Sequence, residues 1–254
     1  MDQSLEINAG GATDIGPVRR LNEDSIFAKH PVYVVADGMG GHDAGEVASD
    51  LTIQCLGVLA GAREVTLEHV RRAVALAQDE VSNLDSDAGS TVTGVVAVSS
   101  ENGCPNWVVL NIGDSRTYRV YGGAIERLTE DNSEVEELLR AGLLSPEEAQ
   151  TYPRKNVITR AVGDGVSLGD FSITPVTPGE RLVICSDGLC GVLDDSEILA
   201  EAQLAINPTD AGINLVNAAI RAGTRDNVTA LIVDSGPFLP NIEAQMPEVT
   251  PVSR

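Results

Sequence analysis

The sequence predicts a mixed α+β domain built on antiparallel strands. Three observations carry that reading. Short β-type runs come in groups joined by glycine turns: Thr91–Val98, Trp107–Ile112, Arg116–Tyr121 and Ala124–Leu128, with Asn102-Gly103 and Gly122-Gly123 between them. Helical patterns fall in pairs between such groups, so strands and helices do not alternate one for one as a doubly wound parallel sheet requires. The chain has 254 residues, enough for one large domain, and shows no internal repeat.

In chain order, Leu5–Thr13 and Ser25–Lys29 read as strands, followed by the apolar run Val32–Ala36, a buried strand that stops at Asp37. The glycine-rich stretch after it is a turn. Glu46–Leu59 and Val65–Leu84 have helical spacing, the latter with Leu67, Val70, Val74, Leu76 and Val81 available for a buried face. The strand-rich block from Thr91 to Leu128 follows. Residues 133–150 turn helical, with Ser145-Pro146-Glu147-Glu148 opening a second short helix. Residues 153–170 read as a loop. Phe171–Val176 and Arg181–Cys185 are strands, Ser196–Ala205 and Thr209–Ala222 helices, and Val228–Val233 a final strand. Residues 236–254 carry prolines and no periodicity, so a domain over 1–235 followed by a flexible tail is expected.

Composition narrows the function classes. The net charge is −21 with no basic stripe, which argues against nucleic acid. No apolar stretch approaches the roughly 20 residues of a membrane helix, and the N-terminus lacks the pattern of a secretory signal. Cys55, Cys104, Cys185 and Cys190 form no CxxC pair and have no nearby His, so zinc is not expected. A cytoplasmic, monomeric protein with a reduced compartment's cysteines is the expectation.

Four acidic clusters remain: Asn22-Glu23-Asp24, Asp37-Gly38, Ser186-Asp187-Gly188 and Asp226-Asn227. Each sits at the end of a β-type run or at a turn beside one. A single Asp-Gly is an ordinary turn. Two that terminate strands, with two further clusters, point to carboxylates gathered from several strands. Carboxylates converge only around a cation, and an all-oxygen set suits Mg²⁺ or Mn²⁺. The sequence therefore predicts a multi-metal hydrolytic centre.

Eight motifs in order then resemble a known family. They are Arg19-x-x-Asn22-Glu23-Asp24, Asp37-Gly38-Met39-Gly40-Gly41-His42-x-x-Gly45-Glu46, Gly89-Ser90-Thr91, Gly113-Asp114-Ser115-Arg116, Leu128-Thr129-x-Asp131, Ile158-Thr159-Arg160-Ala161-x-Gly163, Ser186-Asp187-Gly188-Leu189 and Asp226-Asn227-x-Thr229. Together they resemble the metal-dependent Ser/Thr protein phosphatases (PPM, or protein phosphatase type 2C), in their bacterial form, over about residues 5–234. The resemblance implies a four-layer α-β-β-α sandwich of two antiparallel sheets, with a metal cleft at one end. It implies two or three Mn²⁺ or Mg²⁺ ions per chain and hydrolysis of phosphoserine or phosphothreonine by a hydroxide bridging two of them. On these residues, Asp37 would bridge both metals, and Asp187 and Asp226 would complete the first site. The Gly38 carbonyl would bind the second metal, with Glu23 and Asp24 holding its shell directly or through water. Asp114 with Asp187 would hold a third, weaker metal. Residues 133–170 correspond to a mobile flap. Arg19, five residues before Asp24, would clamp the phosphate, with Arg20 as its rival. The implied partners are phosphoprotein substrates and a Ser/Thr kinase whose action the enzyme reverses.

Several assignments stay open on sequence alone. His42 is a candidate general acid or a hydrogen-bonding turn residue. Ser90, Thr91 and Thr129 suit substrate or backbone contacts, the latter being commoner near strand ends. Arg116 and Arg160 face the same choice. Asn132 and Tyr152 depart from a frequent His after Asp131 and a frequent His-Pro. A catalytically silent binding module would have lost metal carboxylates, and all are present. A phosphatase of an anti-sigma-factor antagonist would tend to lack Arg19 and the flap. Small phosphate esters are a further substrate class, because metal-dependent phosphate chemistry does not define the leaving group.

Overall fold

The computed structural model describes residues 6–40, 44–62, 64–84, 87–99, 103–166 and 168–236. Two antiparallel sheets form its centre. One sheet has the order β1 (Ile7–Asp14), β11 (Val228–Ser235), β10 (Arg181–Cys185), β7 (Arg116–Tyr121), β8 (Ala124–Arg127). The other runs β2 (Asp24–Lys29), β3 (Val32–Met39), β5 (Val92–Ser99), β6 (Pro105–Ile112), β9 (Asp170–Pro175), with the short β4 (Gly89–Ser90) paired to the end of β3.

Strand alternation sorts the apolar residues into three cores. Tyr33, Val35, Val95, Trp107, Val109, Leu182, Ile184, Leu231 and Val233 fill the space between the sheets. Val32, Val34, Val92, Val96 and Val108 point the other way, against α1 (Ala44–Gly57) and α2 (Leu67–Ser82). Leu76 of α2, expected on the buried face, is 41% exposed, because two residues past Val74 the helix has turned it off that face. On the opposite outer face, Val120, Val183, Ala230 and Ile232 pack on α5 (Asp187–Cys190), α6 (Asp195–Gln203) and α7 (Pro208–Ala222). Helix, sheet, sheet, helix: this is the expected sandwich, with a core dominated by aliphatic side chains.

The same alternation points the chemistry. Tyr33 and Val35 face the inter-sheet core, so Asp37 continues that face at the strand's end, opposite Asp24 in the β2–β3 register. Helix ends follow local rules. Thr66 caps α2 in a capping box whose third residue is His69, so this exposed histidine ties a helix end. Ser133 and Ser145 cap the flap helices α3 (Glu134–Arg140) and α4 (Pro146–Gln150).

Sequence patterns missed two short elements. β4 has two residues, too few for any period to register. α5 is a single turn that begins at Asp187, where the Ser186-Asp187-Gly188 cluster reads as a plain turn. The expected tail lies outside the described residues apart from Gly236. Among the described residues no helix is long and apolar enough to cross a membrane.

One charge pair is sealed into the body. Arg181 is 0% exposed and forks onto Asp234 with two bonds of 2.7 Å. Its remaining donors satisfy the carbonyls of Ala202, Ala205 and Ile206 at the end of α6. Asp234→Ala is expected to cost about 3–5 kcal/mol in urea unfolding, because it strands a buried guanidinium. Arg181→Met combined with Asp234→Leu is expected to recover much of that loss. Equal losses in the single and double variants would mean that the stranded charge is not the cause.

Candidate metal centre

The site is assembled from strand ends that the backbone holds by close approach. Gly38 follows Asp37, and a methyl group there would collide with the carbonyls of Gly45 and Glu23. Gly188 lies equally close to the carbonyl of Asn227. Glycine is required at both places because the chains touch backbone to backbone.

Hydroxyl and amide side chains fix the turns. The Asp37 N–H donates to Thr91 Oγ1 (3.1 Å), and Ser90 Oγ donates to the Asp37 carbonyl (3.1 Å). Thr91 Oγ1 and Ser115 Oγ lie 2.9 Å apart, which ties this turn to the one that carries Asp114. Asn227 is a hub. Its Nδ2 donates to the carbonyls of Ile15 and Leu21 (2.9 Å each), and its Oδ1 accepts from the Glu23 N–H (3.0 Å). One amide thus holds the whole loop that carries Arg19 and Glu23.

These turns surround a cavity of about 290 Å³ lined by Arg19, Glu23, Asp37, Gly38, Asp114, Asp187 and Asp226, with Asn156 and Ile158 reaching in from the flap. Burial pushes the Asp37 carboxyl well above the usual carboxylate range, and the charges of Asp24, Asp187 and Asp114 push it further. Asp187 is raised by burial and then by Asp226. Asp114 is raised to about 7 by burial and by Asp187. Asp24 is raised to about 7 by burial, although the hydroxyls of Thr229 and Ser186 donate to its Oδ2 at 2.6 and 2.8 Å. Arg19 is held more firmly protonated by its 2.6 Å bond to Asp226.

Such a set is unfavourable without positive charge. Two features show that it fits hard divalent cations. Every available donor is oxygen, from carboxylates and the backbone at Gly38. Asp24 Oδ1 is also buried without a hydrogen-bond partner, next to the charges of Asp187 and Asp226. Among the described residues no three His, Cys, Asp or Glu side chains stand in a closed ligand set, and Arg19 engages Asp226.

The expected residues Arg19, Glu23, Asp37, Gly38, Asp114, Asp187 and Asp226 all reach this one cavity. Asp24 sits behind it, buried. Arg20 is exposed and off the lining, so the structure separates the two rival arginines. His42 lies outside the described residues. Thr129 Oγ1 accepts from the Thr117 N–H, so Thr129, like Ser90 and Thr91, bonds backbone. Arg116 forks onto Asp131 with bonds of 2.6 to 3.1 Å, and Arg160 ties the flap loop to Asp170 at 2.9 Å.

Sequence reasoning missed three contributors. The hub role of Asn227 needed its partners' positions. Asn156 lies in a segment with no local pattern. Asn132, which departs from a frequent His, exchanges two bonds with Gly113, next to Asp114. Its N–H donates to the Gly113 carbonyl (2.8 Å), and its Oδ1 accepts from the Gly113 N–H (3.0 Å).

Comparison with known proteins is consistent with this geometry. The family model for protein phosphatase 2C matches residues 20–205. The serine/threonine phosphatase Stp of Listeria innocua is 34% identical over 244 residues, covering 87% of this chain and 93% of that protein. PstP of Mycobacterium tuberculosis is 32% identical over 240 residues, covering 91% of this chain and 45% of that longer protein. A crystal structure of PstP superposes with a TM-score of 0.84 at 31% identity, covering 91% of this chain and 99% of that one. A second, of the PstP catalytic domain with two manganese ions, gives 0.82 at 30% identity, with the same coverage of both chains. With its motifs in order, its sandwich and its acidic cavity, this chain belongs to the protein phosphatase 2C family.

Proposed function

We propose that the chain hydrolyses phosphoserine and phosphothreonine in proteins, with Mn²⁺ or Mg²⁺ bound by the carboxylates of the acidic cavity. The observation that carries this reading is the convergence of Asp37, Asp114, Asp187 and Asp226 with Arg19 on one cavity. The relatives' names, serine/threonine phosphatase, and the two manganese ions of the PstP structure support it. Asp37 would bridge two ions, Asp187 and Asp226 would hold the first, and the Gly38 carbonyl the second, with Glu23 and Asp24 around it. Asp114 and Asp187 would hold a third. When bound, such a pair acidifies water and neutralises charge developing on a phosphoryl group.

The chain's own groups do the rest. Arg19 donates one bond to Asp226, and the other donors of its fork remain for phosphate oxygens. Asn156 and Ile158 of the flap line the same cavity. His42, two residues beyond Gly40, is the candidate to protonate the departing Ser or Thr oxygen. A Ser/Thr kinase would supply the substrates, and a monomeric domain over 1–235 in the cytoplasm would act on them.

Asp37→Asn or Asp226→Asn is expected to lower kcat on the order of 100-fold or more, since each removes a charge that holds metal. Arg19→Ala is expected to lower kcat/KM about 10–100-fold, mainly through KM, because the clamp binds ground and transition states alike. Arg20→Ala is expected to change little. Steady-state kinetics on a phosphopeptide decide the matter, and the reverse pattern would move the clamp to Arg20.

Metal removal and pH are linked. Asp24 and Asp114 are raised to about 7 from 3.8. A raised folded-state value gives stability that is complete below the unfolded value and lost as pH rises through the folded one. Chelated protein is therefore expected to melt at lower temperature at pH 8 than at pH 5.5, and added Mn²⁺ to raise Tm more at pH 8. Equal metal-induced shifts at the two pH values in differential scanning calorimetry would contradict this coupling.

A further inference from the structure

The flap and the body enclose a cavity of about 360 Å³ beside the metal cavity, and the two share Asp114, Asn156 and Asp187 as lining. Arg116 and Arg127 line it from the body, and Lys155 from the flap. Three cations on one cavity stand out in a chain whose net charge is −21. Two carboxylates of the same lining answer the arginines. Arg116 forks onto Asp131, and Arg127 lies 3.7 Å from Asp131 and 3.3 Å from Glu136. Lys155 is exposed, and among the described residues no carboxylate pairs with its ammonium.

The other acids of the lining, Asp114 and Asp187, belong to the metal centre in the reading above, where cations take up their charge. The rest of the lining then carries three positive charges against two negative ones. That balance favours an anionic guest, and Lys155 is the cation left to meet it. The flap adds apolar surface, because Val135 and Leu139 stand one turn apart on the same face of α3 and both line the cavity. A carboxylate on a short apolar stem satisfies both features, and a glutamate side chain is such a group.

We propose that this cavity receives an acidic side chain of the substrate, close in sequence to the phosphorylated residue, and that Lys155 is the residue that selects it. The proposal rests on the phosphatase reading and adds a sequence preference to it. An extended peptide advances roughly 3.3 Å per residue, so a cavity beside the metal centre is within reach of a residue about one to three positions from the phosphate. Lys155 touches no reacting atom in this scheme, so its effect falls on KM more than on kcat.

The test uses the full chain with Mn²⁺ and phosphothreonine peptides that carry glutamate or glutamine at each of about three positions on either side of the phosphate. At one position or more, kcat/KM is expected to be about 3–5-fold higher with glutamate, the size of a partly exposed ion pair. In Lys155→Gln that ratio is expected to fall to about one, and in Lys155→Glu a peptide with lysine at that position is expected to overtake the glutamate peptide. The ratio is taken within each variant, so a general loss of activity cancels. Lys29→Gln removes the same charge at the far end of β2 from Asp24 and is expected to keep the ratio. Non-hydrolysable phosphonate versions of the glutamate and glutamine peptides give the same comparison by calorimetric binding. Selective binding without turnover would remove the phosphatase reading and leave the subsite standing. Turnover with equal kcat/KM for glutamate and glutamine at every position, a preference that survives both Lys155 variants, or an equal fall in Lys29→Gln would overturn the proposal. Neither binding nor turnover would overturn both.

Discussion

Mutual repulsion among buried carboxylates is the constraint on which the rest of this structure depends. Asp24, Asp37, Asp114 and Asp187 each have a carboxyl raised by burial and by at least one other acid. No arrangement of hydrogen bonds within the chain removes that cost. The two hydroxyls on Asp24 oppose it only partly, since its carboxyl still lies near 7. The protein keeps the acids together because three layers of apolar packing and a backbone clamp leave them nowhere else to go. Divalent cations relieve this stored repulsion, so folding, metal affinity and pH response belong to one linked equilibrium.

The clamp is built from neutral polar groups, and this division of labour is physically sensible. Asn227, Thr91, Ser90, Ser186 and Thr229 carry no charge to add to the crowding. Asn227, Thr91, Ser90 and Ser186 reach backbone amides and carbonyls that strand ends leave open, Thr229 donates to the Asp24 carboxylate, and none of them changes the net charge of the site. Asn132 extends the scheme to Gly113. A histidine there would place a titrating ring beside Gly113, the neighbour of Asp114, whereas an amide offers an acceptor oxygen and a donor NH₂ at every pH.

Much of this was legible in the sequence, for identifiable reasons. The strand β3 announces itself as an apolar run that ends on Asp37, and period-two alternation then dictates which way Asp37 points. The aliphatic cores, the helix pairs and the hairpin turns follow from patterns that span many residues. The elements that escaped are those whose cause is not local. Two residues of β4 exist because Met39 and Gly38 present open backbone groups from far along the chain. The importance of Asn227 rests on partners some 204 to 212 residues away. Which of Arg19 and Arg20 faces the cavity depends on a loop closed by that same amide. No window of neighbouring residues contains such information.

The flap obeys different physics from the body. None of the residues of α3 is buried, and α3 and α4 are held by caps and by the Arg127–Glu136 and Arg154–Glu134 pairs. The end of the flap, in contrast, is tied to the body by two backbone bonds between Val162 and Ser90 and by the Arg160–Asp170 pair. Partly exposed ion pairs contribute little each, so α3 and α4 are less strongly fixed than the acids. Between flap and body lies a second cavity of about 360 Å³ that shares Asp114, Asn156 and Asp187 with the metal cavity. The two spaces are therefore neighbours, one walled mainly by strand ends and the other by the helical part of the flap. A small phosphate ester needs only the rigid wall. A phosphopeptide must also find room against the insert, and its binding energy can draw on contacts there that leave the acids undisturbed. Chemistry and selection are thus carried by parts of very different stiffness, which lets the flap's sequence change without disturbing the carboxylates.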